Sequence, residues 1–295
     1  MKNSFVIITD TTCDIPKEFV DTGFYRIPME YIIDNTIYTC GKEDSLPVED
    51  FYTMLKNGKT AMTSQISPAT AEEFIRPFLE EGLDVLNISF SSALSATSDN
   101  LDATCKKLQA EFPDRKVLSL DSKTTTNGLG MLCYEAIKLR KDGKTAEETH
   151  KILSKLIAKQ NIYFTVDDLM HLYRGGRLPK ASAIAGTIMR IKPLLYVTPT
   201  GKLRNIEKIM SKKLVYRKIA DIVNFQKSNL TTYFTVGHCF NQAEAEILAQ
   251  KVSELTGISE YYILPVSPII GSHLGCGALT LGFFGKDNID IKSAE

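Results

Sequence analysis

The sequence predicts an α/β protein of two domains. Short apolar runs rich in β-branched residues alternate with helical patterns through the first half of the chain. Repeated strand-then-helix order is typical of a mainly parallel sheet with helices on both faces. The second half keeps the alternation but contains a hairpin-like segment, which predicts mixed α/β structure. A length of 295 residues exceeds the usual size of one hydrophobic core.

The first domain is predicted to cover residues 1–160. The segment "SFVIIT" reads as a strand, and "DIPKEFVDTG" reads as a helix capped by Asp14 and ended by Gly23. An extended stretch, "YRIPMEYIIDNTIY", is closed by a turn at Asp34 and Asn35. The next segment, "LPVEDFYTMLKNG", is predicted to be a helix that ends at Gly58.

Four further helices are predicted in this domain. Ser67 and Pro68 suit the start of the first of them. The strand "DVLNISF" leads into a helix through "LDATCKKLQAEF", and "KVLSLD" leads into one at "GLGMLCYEAIKLRKDG". Thr145 and Glu148 form a capping box for the helix "AEETHKILSKLIAKQ". The domain boundary is therefore placed near Asn161.

The second domain is predicted to cover residues 161–295. It opens with the strand "IYFTV" and two short helices around "RGGRL". A hairpin, "KPLLYVTPTGKLRNIEKI", turns at Pro199 to Gly201. A long helix from Ser211, the strand "YFTVGHC", a helix from Gln242 to Leu255 and the strand "YYILPVS" follow. This is α/β structure with an antiparallel component.

Composition narrows the functional classes. Lys plus Arg equals Asp plus Glu at 35 each, so the net charge of zero does not point to nucleic acid or a membrane surface. Six scattered cysteines without a CxxC pair read as reduced thiols and indicate no metal site. The apolar run at the N-terminus is too short for a signal peptide. Residues 268–284 contain too many glycines for a membrane-spanning helix. A cytoplasmic protein without a transmembrane segment is expected.

Three hydroxyl-rich segments indicate a binding site: "TSQISP", "SSALSAT" and "DSKTTTNG". Helix capping explains Ser67 and Pro68 but leaves Thr63, Ser64 and Gln65 unexplained. The second and third segments follow predicted strands, where open α/β sheets bind ligands beyond the carboxyl ends. Each segment alone would be a cap or a turn. Three of them at successive strand ends are expected to converge on a ligand.

The chemistry of these segments favours an anionic or strongly polar head group. They offer many neutral donors and few charges, which suits a carboxylate, and a phosphate fits almost as well. The Walker pattern and GxGxxG are absent, which disfavours a nucleotide cofactor. Without a GxSxG elbow, a serine hydrolase is disfavoured too.

His273 and two arginines each leave two interpretations open. His273 lies among glycines in "GSHLGCG", so it is either a core histidine on a glycine turn or a donor aimed at a ligand. Arg174 and Arg177 belong to "RGGR", which is either a glycine helix end with solvated arginines or a basic loop facing a partner or a phosphate.

The motifs together resemble the DegV family. "TSQISP", "SSALSAT", "DSKTTTNGLG", "YRGGRL", "IKPLL" and "GSHLGCG" occur in that family's order and approximate spacing. The resemblance runs from "ITDTTCDIP" to "LGFF", nearly the whole chain. DegV proteins are bacterial proteins that bind a fatty acid, and some are the lipid-carrying subunits of fatty acid kinase.

The resemblance implies a carrier that has no catalysis, cofactor or metal of its own. An acyl chain would be buried between or within two α/β domains. Its carboxylate would be held by Thr63, by Ser95 and by a network reaching His273. Family motif positions without an assigned contact are Ser64, Ser91, Ser92 and Asn127. A kinase catalytic subunit is the implied partner.

The sequence departs from the family pattern at several positions. Family members commonly have proline at Ile66, glycine at Ala96 and Ser267, and often proline at Cys276. Kinase-coupled members carry an arginine where this chain has Met210, with Arg204 the nearest substitute. Fatty acid binding is therefore better supported than service to a kinase. Two alternatives stay open: an enzyme acting on a small phosphorylated or acyl substrate, and a binding module for another elongated apolar ligand.

Overall fold

A computed structural model describes residues 5–179 and 192–290 of the chain. In the first half, the elements in chain order are β1 (Phe5–Asp10), β2 (Phe24–Ile27), β3 (Met29–Ile33), β4 (Thr36–Cys40), α1 (Val48–Lys56), β5 (Ala61–Thr63), α2 (Pro68–Glu80), β6 (Asp84–Ser89), α3 (Thr97–Glu111), β7 (Val117–Asp121), α4 (Thr126–Lys141) and α5 (Ala146–Leu156).

The first half contains the predicted parallel sheet. Its strand order is β2-β1-β6-β7, and each neighbouring pair is parallel. Helix α2 packs beside α3, and α4 packs beside α5, with both pairs lying against the sheet. The central strands are buried along almost their whole length, as expected for a sheet covered by helices. The α/β fold class is confirmed.

A second, three-stranded antiparallel sheet, in the order β4-β3-β5, accompanies the parallel sheet. The predicted turn closes its β3–β4 hairpin, with φ of 49° at Asp34 and 64° at Asn35. Left-handed residues at both central positions match the right-handed twist of the strands. Strand β5 leads into "TSQISP", so that segment follows this small sheet. Only the other two hydroxyl-rich segments follow parallel strands.

The second half forms one six-stranded mixed sheet. Its elements are β8 (Gln160–Thr165), α6 (Met170–Arg174), β9 (Lys192–Val197), β10 (Leu203–Ile209), α7 (Lys212–Gln226), β11 (Phe234–His238), α8 (Gln242–Thr256), β12 (Tyr261–Pro265), α9 (Pro268–Leu274) and β13 (Leu279–Phe284). The order is β10-β9-β8-β13-β11-β12, and β11 with β12 is the parallel pair among these described strands. The β9–β10 hairpin is confirmed. The second short helix predicted near "RGGRL" lies outside the described residues.

Two predicted helix starts are confirmed by their capping contacts. The Ser67 hydroxyl accepts the Thr70 N–H at 3.1 Å. Thr145 and Glu148 form the reciprocal capping box, in which Glu148 N–H donates to the Thr145 hydroxyl at 3.2 Å. Each contact satisfies a backbone donor that the first turn of a helix leaves unpaired.

The helix predicted over "DIPKEFVDTG" is wrong. Only one 3-10 turn forms there, at Lys17–Phe19, with extended backbone at Pro16 and Val20 on either side. Asp14 caps nothing, because its Oδ1 accepts the N–H of Ser267 from the other half of the chain, at 3.0 Å. Phe19 stacks on Tyr134 with ring centroids 3.7 Å apart. Long-range packing therefore overrides the local helix signals.

Two hydrophobic cores hold the molecule together. The smaller one lies within the second half, where α7 and α8 cover the six-stranded sheet. The larger one centres on the parallel sheet but also includes Phe164, Leu172 and Ile269 from the second half. The six-stranded sheet begins at Gln160, beside the predicted boundary, and the division into two domains stays a prediction. No helix of the described residues is long and apolar enough to cross a membrane.

Candidate ligand-binding site

A cavity of about 220 Å³ lies where the two halves meet. This is many times the roughly 15 Å³ that one water molecule requires. Part of its wall is apolar and includes Phe90, Leu94, Ile162, Phe164, Leu172 and Ile269. The rest is polar and mostly uncharged, with contributions from all three hydroxyl-rich segments. The cavity can therefore hold a molecule that is partly apolar and partly polar.

Thr63 and His273 form a contact between the two halves at this cavity. The Thr63 hydroxyl lies 2.9 Å from His273 Nε2. Strand β5 ends at Thr63, and α9, which packs on β5, carries His273. Burial, together with the nearby charges of Arg177 and His171, lowers the pKa of His273 to about 4. At neutral pH the imidazole is uncharged, with one N–H to donate.

Gly175, the first glycine of "RGGR", leaves space for the imidazole of His273. A Cβ at Gly175 would lie 2.2 Å from His273 Nδ1. Gly176 has φ of 73°, and the N–H of Arg177 donates to the carbonyl of Leu172 at 2.9 Å. The left-handed backbone at Gly176 and this hydrogen bond are typical of a helix that ends at glycine, here helix α6. The backbone of "RGGR" therefore matches the first interpretation, a helix that ends at glycine. His273 packs directly against this segment.

The three candidate arginines lie in different surroundings in the structure. Arg177 lines the cavity, and its Nε donates to the carbonyl of Leu94 at 2.9 Å. Burial lowers its pKa. Arg174 is exposed and donates to Met170 at 3.3 Å within its own helix. Arg204 lies on β10 and forms an ion pair of 2.5 Å with Asp290. Of the three, Arg177 alone is part of the cavity wall.

Ser95 lines the cavity within a network of hydroxyl groups. Its Oγ donates to Thr97 Oγ1 at 3.0 Å and accepts the Thr97 N–H at 3.2 Å. Thr97 Oγ1 in turn accepts the N–H of Ile66 at 3.2 Å. This network connects the segment after β6 with the segment after β5. Ser64 also lines the cavity, and its N–H donates to the carbonyl of Glu30 at 3.0 Å.

Ser92 and Asn127 lie outside the described cavity wall. Ser92 contacts the Asp121 carboxylate through its hydroxyl and through its N–H, the latter at 3.2 Å. Asn127 is buried and accepts hydrogen bonds from the hydroxyls of Thr126 and Thr280, at 2.6 and 3.0 Å. Both threonines line the cavity. Asn127 therefore supports the wall from behind.

Sequence reasoning missed Thr12, although "ITDTTCDIP" follows strand β1 in the topological position that identified the other loops. Thr12 lines the cavity, and its hydroxyl donates to the buried Asp10 carboxylate at 2.5 Å. Thr125 and Thr126, inside a predicted segment, also line it. Thr126 has φ of 47°, which is uncommon for a β-branched residue. The Thr125 hydroxyl is buried and has no hydrogen-bond partner among the described residues.

The fold and the cavity define an α/β protein whose two halves enclose a partly apolar space with a hydroxyl-rich wall. The chain belongs to the DegV family. The family described as "Uncharacterised protein, DegV family COG1307" matches residues 4–286. A DegV domain-containing protein of Clostridium perfringens is 33% identical over 287 residues, which cover 95% of this chain and 97% of that protein. One from Lactococcus lactis is 31% identical over 279 residues, covering 94% and 96%.

Solved structures of relatives share the fold. The fatty acid binding DegV family protein of Streptococcus agalactiae superposes with a TM-score of 0.84 at 26% identity, covering 96% of this chain and 99% of that one. DegV of Bacillus subtilis, described as a fatty acid binding protein, gives 0.81 at 27% identity, covering 97% and 100%.

Proposed function

We propose that this chain binds a long-chain fatty acid in the cavity between its halves. The carboxylate lies at Thr63, Ser95 and His273, and the acyl chain lies against the apolar wall. The observation that carries the proposal is the Thr63–His273 pair in the wall of a partly apolar cavity. The relatives from Streptococcus agalactiae and Bacillus subtilis, described as fatty acid binding proteins, support it.

The polar groups at the proposed carboxylate position are suited to an anion. A neutral imidazole and hydroxyl groups can each donate a hydrogen bond to carboxylate oxygens. Arg177 is close enough to lower the pKa of His273, so its positive charge also acts at this position. Its guanidinium already donates to main-chain carbonyls, which fixes its orientation. Ser64 is a further candidate contact because it lines the same wall.

Apolar burial supplies most of the affinity in this proposal. Burying some fifteen methylenes at about 0.8 kcal/mol each gives roughly 12 kcal/mol before the losses of association and ordering. A buried carboxylate left without donors would cost several kcal/mol. The hydroxyl groups therefore orient the head group and avoid that cost.

Presentation of the bound acid to a kinase is the finer part of the proposal. Acyl-phosphate formation requires the carboxylate to be reached by a phosphoryl donor held on a partner. Arg174 is exposed and directly precedes Gly175, which packs against His273, and this position suits a partner-facing role. Met210, which directly follows β10, is 62% exposed but carries no charge. Arg204, the nearest substitute for the family's arginine, is paired with Asp290. We therefore assign to Arg174 the contact with the kinase partner.

The experiment for this proposal is mass spectrometry of an organic extract of the purified protein. A fatty acid in stoichiometric amount is expected, and its amount is expected to fall in Thr63→Ala. Thr53→Ala, an exposed threonine on α1, is the matched control. An empty protein that also fails to bind added fatty acid would contradict the proposal and favour an enzyme with a small phosphorylated or acyl substrate.

A further inference from the structure

A second, larger cleft lies on another part of the molecule. Its volume is about 690 Å³, and it shares no described wall residue with the candidate ligand-binding site. One wall is the segment from Thr11 to Val20, which follows β1. The other walls come from the stretch between β4 and α1 and from β12 with the start of α9. Two halves of the chain thus form this cleft as well.

Two polar side chains in this cleft each have a buried oxygen atom without a hydrogen-bond partner among the described residues. Asp14 is 7% exposed, and only its Oδ1 is used, by the N–H of Ser267 at 3.0 Å. Asp14 Oδ2 and the Ser267 hydroxyl are both buried without a hydrogen-bond partner among the described residues. Ser267 precedes α9, yet its side chain caps nothing. Buried polar groups are nearly always paired, so these atoms indicate a polar ligand.

The charges around the cleft indicate the sign of that ligand. Lys17, Arg26 and Lys42 line it, and all three are exposed. None of them forms an ion pair within the described parts of the chain. Glu18 is the acidic residue that accompanies Asp14 on the described wall. Three cations against one exposed anion favour a negatively charged ligand.

Asp14 is compatible with an anion because its carboxyl can be a donor. Burial raises its pKa to about 8, although the charge of Arg26 acts in the opposite direction. A carboxyl that is protonated at neutral pH donates a hydrogen bond, as buried carboxylic acids do at some enzyme sites. The Ser267 hydroxyl is a second neutral donor.

We propose that this cleft binds a small oxyanion, either inorganic phosphate or the phosphoryl group of a small metabolite. Arg26 and Lys42 supply charge, and the carboxyl of Asp14 and the hydroxyl of Ser267 donate hydrogen bonds to the oxyanion. The volume of the cleft exceeds what inorganic phosphate fills, so a phosphate ester is the larger ligand that fits.

Isothermal titration calorimetry of the full chain at pH 7, with inorganic phosphate and with glycerol 3-phosphate as probes, tests the proposal. Arg26→Gln is expected to weaken binding at least about tenfold, because it removes a charged donor. Lys213→Gln, an exposed charge outside the cleft, is the matched control and is expected to change nothing. Tighter binding of the ester than of phosphate identifies the phosphoryl group of a metabolite as the ligand.

Asp14→Asn separates an oxyanion from an ammonium ligand. The amide keeps a donor and an acceptor but cannot ionise, so phosphate binding is expected to be retained. Binding of methylammonium that Asp14→Asn abolishes would overturn the proposal. So would the absence of binding by both phosphate probes, or phosphate binding that Arg26→Gln leaves unchanged. A thermal unfolding transition like that of the unaltered protein, followed by circular dichroism, shows that each variant has folded and keeps this test independent of the lipid proposal.

Discussion

The hydroxyl of Thr63 and the Nε2 of His273 lie 2.9 Å apart, although 210 positions separate them in the chain. One residue ends a strand of the small antiparallel sheet, and the other lies on the short helix α9 of the second half. The cavity is therefore complete only when both halves are folded against each other.

Replacing Thr63 by alanine is expected to weaken fatty acid binding by roughly 1–3 kcal/mol, because a carboxylate oxygen loses a donor. Ser95→Ala is expected to have an effect in the same range. Titration of a fluorescent fatty acid measures both, with Thr53→Ala as the control. Equal affinity in both variants would remove these residues from the head-group site, provided that their thermal stability matches that of the unaltered protein.

Gly175→Ala is expected to displace the His273 imidazole. The added methyl carbon would lie 2.2 Å from Nδ1, while the backbone at Gly175, with φ of −72°, tolerates alanine. Fatty acid affinity is expected to fall, and the imidazole proton signals in NMR spectra are expected to shift. Gly58→Ala is the control, because φ of 88° strains the backbone at a position without close neighbours. Loss of affinity in Gly58→Ala as well would attribute the effect to stability.

The free energy of unfolding is expected to fall as the pH is lowered from about 6.5 to about 4. The pKa of His273 falls from 6.5 to about 4 in the folded protein, mainly through burial. Across this interval the unfolded chain binds a proton that the folded chain excludes, so acid favours unfolding by at most about 3 kcal/mol. Urea unfolding at several pH values measures the loss.

His273→Gln provides the comparison for that titration. The variant has no imidazole at this position, so the difference in stability between it and the unaltered protein isolates the contribution of His273. His238, whose pKa burial also lowers, contributes equally to both proteins, whereas the variant also removes the interaction between His273 and His171. Parallel pH profiles for the two proteins would show that His273 titrates normally.

Arg174→Ala is expected to leave fatty acid affinity unchanged and to reduce acyl-phosphate formation by a bacterial fatty acid kinase catalytic subunit. The side chain is exposed and, among the described residues, donates within its own helix, so its removal leaves the cavity wall intact. Lys213→Ala is the control for a lost surface charge. Reduced lipid affinity in Arg174→Ala would instead assign a structural role to this residue.

Much of the fold could be predicted because its signals are local. Strands β1, β6 and β7 are short apolar runs followed by helical patterns, and their carboxyl ends identify the side on which the cavity lies. The turn of the β3–β4 hairpin was predicted, but strand β5 of the small sheet was not, because β5 has only three residues and its pairing with β3 depends on distant chain segments. Asp14 looked like a helix cap for the same reason, since its partner Ser267 is remote in sequence.

The sequence identified the loops that form the candidate site, but it did not identify which side chains in those loops face the cavity. A serine or threonine in a loop has a hydroxyl that can face either a ligand or the protein. Ser92 faces Asp121, and Asn127 faces neighbouring threonines. The apolar wall came from residues such as Ile162 and Leu203, whose patterns are those of ordinary strands. Only the folded chain distinguishes a wall residue from a core residue.

The larger hydrophobic core has a consequence for how the chain unfolds. Phe164, Leu172 and Ile269 are buried in it although the parallel sheet lies in the other half. Separating the halves would expose this surface to water, so neither half is expected to melt alone. Calorimetry should then show a single cooperative transition, and the slowest-exchanging amides should include residues from both sides of Asn161.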